Sequence, residues 1–147
     1  MIYKIKDGYI LAKTKGRLKG NLIKFPKISV GATENLIIAA CLARGKTVLK
    51  NCAIEPEIKD LTNFLNSAGA NIKWFGRTCK IRGTDSLNQT EYTVMADRIE
   101  AGTFCVAATL TKGNLEIKNF NPDVIRTELE LLRKAGARIK IDSNNIV

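Results

Sequence analysis

Ala68-Gly69-Ala70-Asn71-Ile72-Lys73 returns as Ala135-Gly136-Ala137-Arg138-Ile139-Lys140, a shift of 67 residues. Gly45 followed by Lys50-Asn51 returns as Gly113 followed by Lys118-Asn119, a shift of 68, so a single-residue gap reconciles the two. An Ile-Lys pair also begins at residues 5, 72 and 139, spaced 67 apart each time. Chance likeness between two α/β stretches does not keep three landmarks in the same order. A period of this length means that each copy is one group of elements whose apolar face is covered by its neighbours.

The elements within one period follow from local pattern. Tyr3 to Ala12 alternates apolar and polar residues around Asp7-Gly8, a strong signal for a tight hairpin, so the chain is expected to begin inside a sheet. Lys13 to Gly20 reads as a basic turn, and Asn21 to Phe25 as a strand that Pro26 ends. Leu36, Ile37, Ala40 and Cys41 recur at helical spacing up to Ala43, with Gly45 as a left-handed stop. Thr47 to Lys50 is a strand, and Pro56 opens a second helix whose Ile58, Leu61 and Leu65 form one stripe ending at Gly69. Asn71 to Trp74 and Thr78 to Arg82, turning at Gly76, make a hairpin, and a strand is expected at Tyr92 to Met95.

The fold class is therefore α/β. Two full copies of a strand, helix, strand, helix, hairpin unit are expected, from about Asn21 to Ile81 and from about Tyr92 to Val147. The hairpin of a third copy precedes them. Such units predict mixed sheets with crossovers and helices on one face. A chain opening on the last hairpin of a unit reads as a segment of a longer repetitive protein.

Between the strand ending at Phe25 and the first helix lies Lys27-Ile28-Ser29-Val30-Gly31-Ala32-Thr33. A loop opening a helix presents unpaired N–H groups and a positive dipole end; Lys27 adds a charge, Ser29 and Thr33 add hydroxyls, and Gly31 allows close backbone approach. The pattern suits a phosphate, and it equally suits an ordinary helix start capped by Thr33.

Charge is compatible with an anionic ligand. Lys and Arg total 24 against 14 acidic residues, a net +10. Lys4, Lys6, Lys13, Lys15, Arg17, Lys19, Lys24 and Lys27 are spread at strand-like spacing, which reads as a solvated surface, and at 6% aromatics base stacking is poorly provided for. No nucleic-acid partner is expected. No apolar run is long enough to span a bilayer and Met1 to Lys6 lacks a signal-peptide core, so no membrane partner is expected and the cytoplasm is the default. Cys41, Cys52, Cys79 and Cys105 form no C-x-x-C pair and the chain has no histidine, so neither a metal nor another cofactor is expected. Cys41 and Cys105, inside apolar helical runs, read as buried hydrophobes.

Lys27 to Thr33, then Glu55-Pro56-Glu57-Ile58, then Asp97-Arg98-Ile99-Glu100-Ala101-Gly102-Thr103-Phe104 occur in this order. With these segments the chain resembles the UDP-N-acetylglucosamine 1-carboxyvinyltransferases, the enolpyruvyl transferases of peptidoglycan synthesis, over essentially its whole length. It looks like the middle third of such an enzyme. The resemblance implies an inside-out α/β barrel in each of two domains. Residues 1–96 would be the C-terminal part of the first, a trailing hairpin plus one complete repeat, and 97–147 the start of the second, with one repeat.

It further implies that Lys27, Ile28, Ser29, Val30 and Gly31 contact the UDP part of the sugar nucleotide and that Glu55, Glu57, Asp97 and Arg98 line the cleft between domains. Glu55 follows Ile54 where relatives commonly carry an Arg, which removes an ion pair. From the residues alone, Glu55 could be a negative charge at a helix start, and Asp97 an N-cap with Glu100 completing a capping box. The implied reaction moves an enolpyruvyl group from phosphoenolpyruvate to the 3-hydroxyl of UDP-N-acetylglucosamine. The resemblance puts the family's N-terminal Lys-Asn pair and its mobile glycine-rich loop with a reactive Cys or Asp upstream of residue 1, so no catalytic residue is assigned and the chain alone is expected to be inactive. Small-molecule substrates are its expected partners, together with self-association through surfaces left open by missing repeats. The shikimate-pathway enolpyruvyl transferases share the architecture without matching Lys27 to Thr33. A noncatalytic basic anion- or RNA-binding α/β module is the rival from another class.

Overall fold

Asp7-Gly8 turns the chain as its sequence requires: both residues are left-handed, at φ 50° and 80°, the conformation of a two-residue hairpin turn. In the computed structural model, which describes residues 2–147, strand β1 (Ile2–Lys6) pairs antiparallel with β2 (Tyr9–Lys13). The chain begins in a sheet, as expected, on the predicted hairpin. This ribbon is a sheet of its own, and Tyr3, Ile5, Tyr9 and Ile10 are 67–72% exposed. Alternation sets up the hairpin, but no third strand is present among the described residues to extend it.

The chain divides into two compact units, the first ending at Val94 and the second running Met95–Val147. The first holds a complete repeat. Strand β3 (Leu22–Lys24) lies parallel to β4 (Lys46–Lys50) across helix α1 (Val30–Cys41). Helix α2 (Pro56–Ser67) then leads to β5 (Asn71–Phe75) and β6 (Thr78–Arg82), and the sheet order is β3-β4-β6-β5. The predicted mixed sheet, its β5–β6 hairpin and Pro56 in the first turn of α2 are all present. Because side chains alternate along a strand, Leu49, Cys79, Ile81 and Ile72 fall on one face and pack with Ile37, Ile58 and Leu65 of the helices; all are at most 6% exposed. Two glycines are obligatory. A Cβ on Gly83 would sit 1.7 Å from the Ala43 carbonyl oxygen, and one on Gly20 would sit 2.4 Å from that of Lys46.

The predicted first helix is longer than its apolar stripe. It begins at Val30, six residues before Leu36, because Ser29 caps it: the Ser29 side chain accepts from the Ala32 N–H at 3.3 Å. Thr33 is therefore not the cap. It lies inside the first turn and is fully buried. Left-handed Gly45 (φ 85°) follows the Leu42 C-cap and turns the chain into β4.

The second unit departs from the expected copy. Helix α3 (Arg98–Thr111), a single 3-10 turn (Pro122–Ile125) and helix α4 (Arg126–Lys134) surround Ala101, Cys105, Phe120, Ile125, Leu129 and Ile146. The predicted strand at Tyr92 to Met95 is absent. That stretch runs irregularly, and the Tyr92 hydroxyl is instead bonded to Asp60 at 2.8 Å. The strand expected around Gly113 to Lys118 is reduced to one bridge, Ile117 with Ile146, and the hairpin to β7 (Ile141–Asp142) and β8 (Asn145–Ile146). Two full copies are thus one full copy and one in which the helices, but little of the sheet, have formed.

The recurring landmarks have a conformational basis. Gly69 and Gly136 are left-handed at 95° and 100°, and Asn51 and Asn119 at 61° and 54°. These are positions that Gly and Asn fill at least cost.

Candidate functional site

Helix α1 starts with an uncompensated positive end. Its first turn contains no acidic residue, and the N–H groups of Val30 and Gly31 belong to the set that a helix cannot pair internally. Lys27, Ile28, Ser29 and Gly31 are exposed and Val30 half-buried. A Cβ on Gly31 would meet nothing within 4 Å, so the backbone there is open to a ligand. The Asn35 amide donates to the Gly31 carbonyl at 2.8 Å, which firms the first turn.

Thr33 positions this turn. Its hydroxyl donates to the Ser29 carbonyl at 2.7 Å and accepts from the Ala53 N–H at 3.1 Å. A buried side chain thus ties the start of α1 to the Cys52–Glu55 segment that opens α2, with Cys52 and Ala53 fully buried beside it. Sequence reading missed this tie, because a Thr four residues into a helix carries no signal of its partner twenty residues on.

Glu55 stands at the N-cap of α2 and makes no side-chain cap hydrogen bond. The reading of Glu55 as a negative charge at a helix start is met in position. The Glu55 Oε2 is buried without a hydrogen-bond partner among the described residues, a state that costs about 1–3 kcal/mol unless a donor arrives. Glu57 lies in the first turn of the same helix. Asp97 and Arg98 belong to the second unit. Asp97 caps α3, its Oδ1 accepting from Ile99 N–H at 2.8 Å and Glu100 N–H at 3.1 Å, so the capping reading of Asp97 accounts for that oxygen. Within the first unit the structure brings Lys27–Gly31 and Glu55–Glu57 to neighbouring helix starts.

A depression of about 750 Å³ borders this loop, lined by Lys24, Phe25, Pro26, Asn51, Arg77 and Thr78. Asn51 Nδ2 donates to the Phe25 carbonyl at 3.0 Å and an Arg77 guanidinium N–H to that of Cys52 at 3.0 Å. The Lys50-Asn51 landmark was the only sequence trace of it.

The thiols offer no nucleophile. Burial pushes Cys79 up to about 12, with Cys52 and Cys41 adding to the rise, and burial also raises Cys41, Cys52 and Cys105. A protonated thiol is a poor nucleophile and a poor metal ligand. Cys41 and Cys105 are the small buried groups that the sequence suggested, and Cys52 and Cys79 are buried as well.

The chain is 58% identical to the UDP-N-acetylglucosamine 1-carboxyvinyltransferase of Pelagibacter ubique (strain HTCC1062), over 99% of its own length and 35% of that protein. It is 49% identical to the protein of the same name from Coxiella burnetii (strain Dugway 5J108-111), over 94% of this chain and 32% of the relative. It thus spans about a third of these relatives' length. Among solved structures it superposes on the enolpyruvyl transferase NikO from Streptomyces tendae with a TM-score of 0.78 at 20% identity, over 99% of this chain and 38% of that one. EPSP synthase from Acinetobacter baumannii matches at 0.62 and 21%, over 88% and 31%. At such identities these two speak for the fold alone. A family model, EPSP synthase (3-phosphoshikimate 1-carboxyvinyltransferase), matches residues 3–147. With that match covering all but the first two residues, the chain belongs to the EPSP synthase family, whose α/β fold it shares.

Proposed function

We propose that this chain is the sugar-nucleotide-binding portion of an enzyme that transfers an enolpyruvyl group from phosphoenolpyruvate to the 3-hydroxyl of UDP-N-acetylglucosamine, in peptidoglycan precursor synthesis. The observation that carries the reading is the Ser29-capped start of α1, open and cationic. The names of the relatives at 58% and 49% identity support the substrate.

In this reading the Val30 and Gly31 N–H groups and the Lys27 ammonium meet the diphosphate, where charge-assisted hydrogen bonds are strongest. The Ser29 oxygen is already an acceptor for the Ala32 N–H, which leaves its hydroxyl proton to donate to a phosphate oxygen. Thr33 holds this turn against Ala53, and the unpartnered Glu55 Oε2 offers an acceptor to a sugar hydroxyl or amide. Residues 1–96 would close the first domain and 97–147 open the second, with Glu57, Asp97 and Arg98 facing the cleft between them. Adding and removing a proton at the vinyl carbon needs an acid and a base. None is assigned within these residues, so the isolated chain binds nucleotide and does not turn over.

Calorimetric titration of UDP-N-acetylglucosamine into the chain tests the reading. Weak saturable binding, reduced at least about tenfold by Lys27→Ala, is expected. Absence of saturable binding, or unchanged affinity in Lys27→Ala, removes the site. Phosphate release from phosphoenolpyruvate by the chain alone would overturn the claim of inactivity.

A further inference from the structure

One face of the four-stranded sheet packs on α1 and α2. The other carries Leu22 and Lys24 of β3, Lys46, Val48 and Lys50 of β4, Thr78, Lys80 and Arg82 of β6, and Asn71, Lys73 and Phe75 of β5, as the strand registers require. Six of these are cations and none is a carboxylate. Three cation pairs stand directly opposite one another, Lys24 with Lys50, Lys46 with Arg82, and Lys73 with Lys80. Like charges in that position destabilise a sheet, so this face costs the fold stability instead of contributing it. All but Lys80 are exposed, and Lys80 lies over the Phe75 ring at 4.2 Å. At one end the face runs into the Lys24, Asn51, Arg77 and Thr78 depression, which adds a seventh cation, Arg77 of the β5–β6 turn, and the Asn51 amide.

We infer that this face is a docking surface for an anionic phospholipid membrane. Charge complementarity sets the sign of the partner, and three features set its class. Five of the six cations are Lys, compact charges on long apolar stems, whereas nucleic-acid readers favour the forked guanidinium of Arg. Leu22 and Phe75, 59% and 57% exposed, stand at the two opposite margins of the same face, where an interface with acyl chains beneath headgroups accepts them and a phosphate backbone does not. The single aromatic is shielded on one side by Lys80, so it makes no stacking platform for bases. The lysines hold the surface against headgroup charge, the depression takes one phosphate, and the two margins enter the interface. This inference does not depend on the nucleotide site, whose residues lie off this face.

The test is cosedimentation of the chain with phosphatidylcholine vesicles containing about one-third phosphatidylglycerol, against pure phosphatidylcholine. Binding to the anionic vesicles only, released by salt, is expected. Lys46→Gln/Lys73→Gln/Lys80→Gln should weaken it at least about tenfold, while Lys4→Gln/Lys6→Gln/Lys13→Gln on the hairpin should leave most of it. Because it relieves opposed charges, the first triple variant should melt no lower than the parent, read from Trp74 fluorescence. Lys80→Gln alone, with a smaller loss, serves if the triple variant does not fold. No binding to anionic vesicles at low salt, equal loss in the hairpin variant, or displacement from vesicles by a single-stranded oligonucleotide at lower phosphate concentration than by added vesicles would each overturn the assignment.

Discussion

In the first copy of the repeat Leu22–Lys24 gives β4 a parallel partner at Val48, Leu49 and Lys50; in the second, Tyr92 to Met95 pairs with no strand among the described residues. The consequences run through each copy. The first closes a sheet over Leu49, Cys79 and Ile81, all fully buried. The second keeps its two helices, yet its sheet is one bridge and a hairpin with two-residue strands, while Leu110, Ile99 and Leu131 remain 60–79% exposed. Helices satisfy their backbone internally and are fixed by caps such as Asp97, whereas a strand exists only when a neighbour offers its edge. The same landmarks therefore specify helices and turns twice and a sheet once.

The sharpest way to break the first copy while sparing the second is Gly83→Ala. The new Cβ would meet the Ala43 carbonyl oxygen at 1.7 Å and the Ala40 carbonyl oxygen at 3.2 Å, both backbone, so nothing can swing aside. A loss of more than about 3 kcal/mol is expected. Trp74, the sole tryptophan, lies in the first unit and should report an early transition, with the far-UV signal of α3 and α4 persisting beyond it. A single unchanged transition would show that Gly83 packs less tightly than this.

Core truncation tests the asymmetry directly. Leu49 is fully buried in a central strand, and Leu49→Ala should cost about 2–5 kcal/mol. Ile117 occupies the corresponding place in the second copy but is only half-buried beside its bridge. Ile117→Ala should cost less than half as much in denaturant titration. Equal costs would mean that the second copy has a closed sheet in solution.

Alkali should discriminate next. A thiol raised from 9 to about 12, as in Cys79, holds its proton in the folded chain and loses it in the unfolded one. Its contribution is full below about pH 9 and falls as pH rises toward the folded value. Cys41, Cys52 and Cys79 sit in the first unit and only Cys105 in the second. Melting followed through Trp74 between pH 8 and 11 should therefore fall faster than the helical signal of the second unit. Equal slopes, or thiol labelling of the native chain at neutral pH, would contradict this burial.

How much of this was legible in advance divides along the same line. Asp7-Gly8, Pro56 and Gly69 act through their own φ angles, and each turn or helix end that they predicted is present. Ser29 and Thr33 are both hydroxyls at the helix start, and sequence does not say which caps it: the Ser29 oxygen accepts from the Ala32 N–H, whereas Thr33 is turned inward to the Ala53 N–H. The strand that the pattern predicts at Tyr92 to Met95 does not form, since alternation reports a suitable pleat and not a partner. The cationic sheet face was invisible as a face: Lys24, Lys46, Lys73 and Lys80 lie far apart in sequence and meet only through register.

The smallest expected difference concerns the two asparagines, and it probes whether a shared conformation has a shared cost. Asn51 and Asn119 both hold left-handed backbones, at 61° and 54°, so Ala at either site should lose about 1 kcal/mol of backbone preference. Asn51 also donates from Nδ2 to the Phe25 carbonyl at 3.0 Å, tying the end of β4 to the end of β3. Asn51→Ala therefore forfeits a further hydrogen bond worth about 0.5–1.5 kcal/mol. Glycine separates the two parts. Asn119→Gly should restore nearly all of what Asn119→Ala loses, whereas Asn51→Gly should recover the backbone share alone. Full recovery at both sites in urea titration would mean that the Asn51 side chain contributes nothing, and that the parallel β3–β4 pairing rests on the backbone ladder alone.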